Sequence, residues 1–167
     1  MKKIGLLSDT HGYLHPSILQ HFAGCDEVWH AGDIGSAEVA DELEAFKPLR
    51  AVYGNIDGRE LRLRYPEDLY FECGGVKVFI THIGGYPGKY PARIKKALAE
   101  QRPGLFICGH SHILKVMPDH GFQLLHINPG ACGKEGFHKV STVVRFGFDQ
   151  GRVVELEVVE LGLRGRL

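Results

Sequence analysis

Short apolar runs, each closed by polar, glycine-rich punctuation, recur along the chain. Ile4–Leu7 runs into Ser8-Asp-Thr-His-Gly12, and Val28–Ala31, interrupted by His30, into Gly32-Asp-Ile-Gly35. Leu49–Tyr53 precedes Gly54-Asn-Ile-Asp-Gly58, Val76–Ile80 precedes Thr81-His-Ile-Gly-Gly85, and Leu105–Cys108 precedes Gly109-His-Ser-His112. Each run is four or five residues long with β-branched or aromatic content, which predicts a buried strand. Helical periodicity lies between several of them. Ser36–Phe46 places Val39, Leu43 and Phe46 on one face, with Ser36 as the N-cap. Pro91–Gln101 aligns Ile94, Ala97 and Leu98 behind a proline suited to a first turn, and His15–Ala23 is a weaker helix.

The C-terminal third changes character. Ile113–Met117, Phe122–Ile127, Thr142–Phe148 and Val153–Leu161 read as strands, with Asp119-His-Gly121 and Asp149-Gln-Gly151 as the turns between neighbouring pairs. No linker or repeat divides the chain, so one domain is expected over residues 1–167. The predicted class is α/β: two sheets packed face to face as a sandwich, with helices outside.

Composition narrows the functional classes. At 167 residues, 44% hydrophobic and 24% charged, the chain is globular rather than disordered or coiled-coil. Twenty basic residues balance twenty acidic ones, so no net field holds long nucleic acid and no stable nucleic-acid complex is expected. No apolar run is long enough for a membrane span. The first strand is expected directly after Met1, and no signal-peptide h-region is read there. Cys25, Cys73, Cys108 and Cys132 form no CxxC pair. These features predict a cytoplasmic, reducing setting and buried thiols that act as small hydrophobes.

The candidate chemistry sits in the punctuation. Asp9, His11, Asp33, Asn55, His82, His110 and His112 place seven oxygen or imidazole donors on five strand-end loops. Sites in α/β sheets are built outside the carboxyl ends of the strands. Turn chemistry explains a lone Asp, but it does not call for imidazoles on three separate loops. A carboxylate can bridge two cations, and neutral imidazoles suit zinc, manganese and iron. Gly32, Gly54 and Gly109 each precede a candidate ligand, where a missing Cβ lets loops crowd together.

In order, spacing and context these blocks resemble the calcineurin-like metallophosphoesterases: Asp9-Thr-His11, Gly32-Asp33, Gly54-Asn55, Thr81-His82 and Gly109-His-Ser-His112. The short length, Asn128-Pro-Gly130 and the β-rich tail are similar to the small single-domain YfcE-like phosphodiesterase branch, which shares its fold with the retromer subunit. The resemblance covers nearly the whole chain. It implies a four-layer α/β/β/α arrangement and two divalent metal ions, manganese first, with iron, zinc or nickel as alternatives. It also implies that Asp9, His11 and His112 hold one metal, that Asn55, His82 and His110 hold the other, and that Asp33 bridges them. The implied reaction is hydrolysis of a small phosphodiester by a hydroxide bridging the metals, with Asp33, Asn55, His82 and His110 as the catalytic set. A phosphomonoesterase of small metabolites, or a binding scaffold with little turnover, is the alternative, and a homo-oligomer is compatible with either.

Two positions depart from the pattern. Where larger enzymes carry a histidine after the asparagine, this chain has Ile56, which cannot protonate a leaving group. Ile83 separates His82 from the glycines that often follow directly. Asp57 is a candidate for orienting a ligand, or a simple turn residue. Arg59, Arg62 and Arg64, with Lys89, Arg93, Lys95 and Lys96, are candidates for gripping substrate phosphate, although Lys95 and Lys96 also read as a solvated helix face. Gly84–Tyr90 reads as a surface loop, with a stacking lid as the alternative. Trp29 and His30 read as core.

Overall fold

The structure, a computed structural model, describes residues 1–166. In chain order the elements are β1 Lys2–Leu7, α1 Ser17–His21, β2 Glu27–His30, α2 Ala37–Phe46, β3 Leu49–Ala51, α3 Arg59–Arg64, β4 Asp68–Cys73 and β5 Val76–Thr81. They continue with α4 Ala92–Gln101, β6 Leu105–Ile107, β7 Lys115–Asp119, β8 Leu124–Asn128, β9 Val140–Asp149, β10 Arg152–Leu163 and a 3₁₀ turn at Arg164–Arg166. One five-stranded sheet has the order β10-β9-β1-β2-β3, and the other β4-β5-β6-β8-β7.

Alternation along the strands builds three apolar layers. In β1, Ile4 and Leu6 face the second sheet, where Val78, Ile80, Leu105 and Ile107 meet them. Leu7 faces the other way, into a layer with Ile18 and Phe22 around α1, Val39 and Leu43 of α2, and Leu61 and Tyr65 around α3. Gly5 shares that outer face, and a Cβ there would lie 2.5 Å from the Phe22 ring. Outside the second sheet, Phe79 and Phe106 pack on Ile94 and Leu98 of α4 and on Tyr90. The result is helices, sheet, sheet, helix, as expected. Among the described residues no helix is long and apolar enough to cross a membrane.

Several boundaries differ from the sequence reading. β4 and α3 were not anticipated. β4 does alternate, with Leu69, Phe71 and Cys73 on the inter-sheet core, but Asp68 precedes them and Tyr70 and Glu72 interleave them. α3 is six residues with only Leu61 buried, too short for a periodic signal. β7 starts at Lys115 rather than Ile113, and β8 at Leu124 rather than Phe122. Asp119 closes β7 instead of opening the turn, and its carboxylate accepts from the Gly121 and Phe122 amides at 2.9 and 3.3 Å. Ser36 caps α2 as expected, its hydroxyl accepting from the Val39 amide at 3.4 Å.

Strands β1, β2 and β3 run parallel in one sheet, and β5, β6 and β8 run parallel in the other. Every candidate ligand follows the carboxyl end of one of these strands, so the fold delivers all seven to one end of the sandwich.

Candidate metal centre

The loops are laced together before any side chain is considered. The Asp9, His11 and Gly12 amides donate to the carbonyls of Gly32, Asp33 and Ile34 at 3.0, 3.0 and 2.8 Å. On the far side, the Cys132 and Gly133 amides donate to the Ser8 and Asp9 carbonyls at 3.1 and 3.2 Å. The Gly109 amide reaches the His82 carbonyl at 2.9 Å. Two glycines permit this closeness. A Cβ at Gly32 would lie 2.6 Å from His82 Nδ1, and one at Gly54 would collide with the Asp33 carboxylate.

Two groups of side chains result, Asp9–His11–His112 and Asp33–His82–His110, each offering three ligand atoms within 4.8 Å of one another. Asp9 Oδ2 is occupied by the Ser8 hydroxyl at 2.6 Å and the His110 amide at 3.2 Å. Asp9 Oδ1 is buried with no hydrogen-bond partner, as are His11 Nε2 and His82 Nε2. Yet Asp9 Oδ1 lies 3.1 Å from His112 Nε2 and 3.6 Å from His11 Nε2. Asp33 Oδ2 lies 3.4 Å from His11 Nε2 and 3.2 Å from His82 Nε2. Lone pairs that approach this closely without bonding converge on a shared space. Two ligands each about 2.1 Å from one cation stand roughly 3.0–3.4 Å apart. The orphaned atoms therefore fit divalent ions. The donors are oxygen and imidazole nitrogen without thiolate, a set that suits manganese, iron, zinc or nickel.

Supporting contacts fix which atoms are free. His82 Nδ1 donates to the Ala31 carbonyl at 2.8 Å, leaving Nε2 with its lone pair inward. Asn55 Oδ1 and His110 Nδ1 face one another at 2.9 Å. Asp33 Oδ1 accepts from the Ile56 amide at 3.0 Å, so Ile56 contributes its backbone while its side chain is exposed.

Electrostatics follow from these distances. Burial alone would raise the Asp33 carboxyl, but the His11 and His82 imidazoles hold it well below the usual range. Asp9 behaves likewise, with His11 and His112 overcoming burial. Reciprocally, Asp33 and then Asp9 push His11 up to about 9. Without cations the centre is a cluster of carboxylates and imidazoles sharing protons, and binding metal requires those protons to leave.

Of the surrounding support, the sequence singled out Asp57 but not the roles of His30, Thr10 and Asn128. Asp57 is buried, and its carboxylate accepts from the Ile34, Gly35 and Gly54 amides at 3.1, 2.8 and 2.8 Å, tying the Asp33 loop to the Asn55 loop. His30 is core in position but polar in role: Nδ1 accepts from the Gly32 amide at 3.0 Å and Nε2 meets the Thr10 hydroxyl at 3.0 Å. Asn128 donates to the Gly109 carbonyl at 2.9 Å and to Ser111 Oγ at 3.1 Å, bracing the His110–His112 loop. Arg59 is exposed and makes no hydrogen bond or ion pair with the site loops. Arg62, one turn on, does so, with Nε donating to the Asp57 carbonyl at 2.6 Å and Nη2 to the Asn55 carbonyl at 3.3 Å. Arg64 turns away to Asp41 and Glu44. Lys89, Lys95 and Lys96 are exposed. The Gly84–Tyr90 loop is pinned, Tyr86 to the Ser111 hydroxyl and Tyr90 to Asp119. All four cysteines are free and buried.

Beside Asn55 and His82 opens a cavity of about 320 Å³, with Tyr53, Arg62, Glu67, Thr81 and Arg93 among its walls. Arg93 is held there by Asp68 at 2.6 Å.

The calcineurin-like phosphoesterase superfamily domain matches residues 1–151. The chain belongs to this family. A phosphodiesterase from Methanocaldococcus jannaschii is 30% identical over 149 residues, covering 78% of this chain and 84% of its own. The structure of a novel archaeal phosphodiesterase superposes with a TM-score of 0.77 at 27% identity, over 95% of this chain and 99% of that one. Vps29 from Chaetomium thermophilum shares the fold at a TM-score of 0.75 and 13% identity, over 98% and 100% of the two chains.

Proposed function

We propose that this protein is a dinuclear-metal-dependent phosphodiesterase. One observation carries the reading: a single oxygen, Asp33 Oδ2, stands 3.4 Å from His11 Nε2 and 3.2 Å from His82 Nε2, one imidazole from each ligand group. A carboxylate so placed would bridge the two ions. Asp9, His11 and His112 would hold one ion, and Asn55, His82 and His110 the other. Manganese is the first choice, with iron, zinc and nickel as alternatives. The chemistry such a pair supplies when bound is polarisation of the phosphoryl oxygens and a water deprotonated near neutral pH.

The remaining work falls to the chain. Asp33, Asp9 and the imidazoles fix the separation of the two ligand groups. Asn55, in the cavity wall, and His110, 2.9 Å from it, would face the phosphoryl oxygens. Hydrolysis forms one P–O bond to the oxygen of water and breaks one to the leaving alcohol, which departs with its electron pair and takes up a proton. Ile56 offers no proton at that point. General acids contribute about 10²- to 10⁴-fold where the leaving group needs one. Activated aryl diesters are therefore the favoured substrates, and alkyl monoesters the poor ones. A scaffold without turnover predicts eroded ligands, whereas all seven positions carry metal-binding side chains. The free, buried cysteines accord with a reducing, cytoplasmic setting.

The test is metal content with turnover. Protein stripped and reloaded with manganese should hold two ions per chain and hydrolyse bis-p-nitrophenyl phosphate faster than p-nitrophenyl phosphate. Ile56→His should narrow that preference by raising monoester turnover more. A stoichiometry near zero after reloading overturns the reading, and a wild-type preference for the monoester removes Ile56 as its determinant.

A further inference from the structure

Ten large apolar side chains are exposed among the described residues, and five of them stand on loops around the metal centre. Ile56 directly follows Asn55, Ile83 follows His82, and Ile113 and Leu114 follow His112. Phe137 is fully exposed on the segment after Gly133. That segment leans on the centre: a Cβ at Gly136 would collide with the His112 ring, and the His138 ring lies 5.2 Å from it, edge-on. Because β7 starts only at Lys115, Ile113 and Leu114 are left outside the sheet beside His112. Single exposed apolar residues need no explanation. Their gathering around one polar centre does, since such patches mark where a ligand or partner rests.

The two flanks of the centre differ. On the Asn55–His82 side lies the cavity in whose walls the charged Arg62, Glu67 and Arg93 stand beside Tyr53 and Ile83. On the His112 side stand Ile113, Leu114 and Phe137. A phosphate at the centre extends its two ester groups over its surroundings, so each flank meets one of them. We infer that the substrate is an unsymmetrical phosphodiester: one ester group is a hydrophobic alcohol, alkyl or aryl, resting on Ile113, Leu114 and Phe137, and the other is polar and enters the Arg62–Arg93 cavity. The inference rests on the phosphodiesterase reading for its chemistry, but the apolar shelf is testable by binding alone.

Manganese-loaded protein is assayed with methyl and hexyl p-nitrophenyl phosphate, below the hexyl ester's micelle concentration. In parallel, methyl and hexyl phosphate are titrated calorimetrically. Full burial of a methylene is worth about fourfold, and a one-sided shelf about twofold. From methyl to hexyl, kcat/KM and affinity should therefore each rise roughly 30-fold. Ile113→Ser with Phe137→Ser, both at exposed positions, should cut that ratio to below about fivefold. Equal values for the two chain lengths overturn the inference. Graded binding without turnover of either ester supports the shelf and refutes the phosphodiesterase reading. A flat dependence together with self-association that Phe137→Ser abolishes overturns the inference in favour of a second copy of this chain on the shelf.

Discussion

The two ends of the sandwich solve the same backbone problem differently. At the end remote from the metal centre, the chain reverses through Gly74-Gly75 between β4 and β5 and through Gln150-Gly151 between β9 and β10. All four residues have positive φ, from 49° to 79°. Glycine takes most of that burden at little steric cost. At the site end, five of the seven candidate ligands themselves sit in the left-handed region: Asp9 at 57°, His11 at 47°, Asp33 at 55°, His110 at 71° and His112 at 64°. None can be glycine, because each must present a donor atom. Such a residue costs on the order of 1 kcal/mol or more, somewhat less for Asp and His, which tolerate the region best. The strain persists because Ser8, Thr10, His30, Asp57 and Asn128 hold the loops by hydrogen bonds from every side. Where only a turn is needed, the sequence uses small residues. Where a ligand is needed, the fold keeps the strain and surrounds it.

The largest effect is expected where both ligand groups meet. Asp33→Asn keeps the hydrogen bond to the Ile56 amide available but removes the bridging charge. Turnover should fall by more than the roughly 10- to 100-fold cost of losing an outer partner, and elemental analysis should show at least one ion missing with the circular dichroism of the fold retained. Unchanged metal content would remove Asp33 from the bridge. Next comes the outer partner itself. Asp57→Ala leaves three backbone amides without their acceptor, so metal affinity should drop about 10- to 100-fold and stability by roughly 1–3 kcal/mol. Metal titration and urea denaturation read the two effects, and a loss of stability alone would make Asp57 structural.

Acid should unfold the middle of the molecule as well as empty its end. Burial lowers both His30 and His126 to about 4, and both His126 ring nitrogens lack hydrogen-bond partners among Tyr86, Tyr90 and Phe106. The unfolded chain protonates them near 6.5. Their contribution is complete above pH 6.5 and is lost as pH falls from 6.5 towards 4, because the unfolded state binds the extra protons. For each, the loss reaches up to about 3 kcal/mol. His126→Phe should flatten the pH dependence of denaturation in that window, and an unchanged slope would place the acid sensitivity elsewhere.

The smallest effects compare the two ends directly. His112→Gly should stabilise the metal-free protein by about 1 kcal/mol through relief of strain, while abolishing metal binding at its group. Gly151→Ala, where a Cβ meets nothing within 4 Å, should destabilise by about 1 kcal/mol with turnover intact. If both substitutions shift the urea midpoint in the same direction, the site-end conformation is not strained.

The seven donors were legible because chemistry restricts residue type: carboxylate, carboxamide and imidazole recur after strands, and few other needs produce that series. The supports were less legible. Ser8 and Thr10 are ordinary loop polar residues and Asn128 closes β8, and nothing in their spacing says whose amide or carbonyl they meet. His30 reads as core from its strand, and its contacts to Gly32 and Thr10 exist only once β1 and β2 lie side by side. Arg62 and Arg59 are equivalent in sequence, and only Arg62, one turn into α3, leans back towards the helix start onto the Asn55 and Asp57 carbonyls.

By itself the sequence determined most of the strands, the longer outer helices α2 and α4 and the residue types of the candidate donors, because burial period and ligand chemistry are local properties of residue type. Tertiary structure decided the rest: that Asp33 Oδ2 faces both His11 and His82, that five candidate ligands carry left-handed backbone, and that β7 begins late enough to leave Ile113 and Leu114 beside His112. Those outcomes depend on the register of parallel strands and on two sheets stacking with their carboxyl ends together. Both are set by contacts between residues far apart in the chain, which no local pattern encodes.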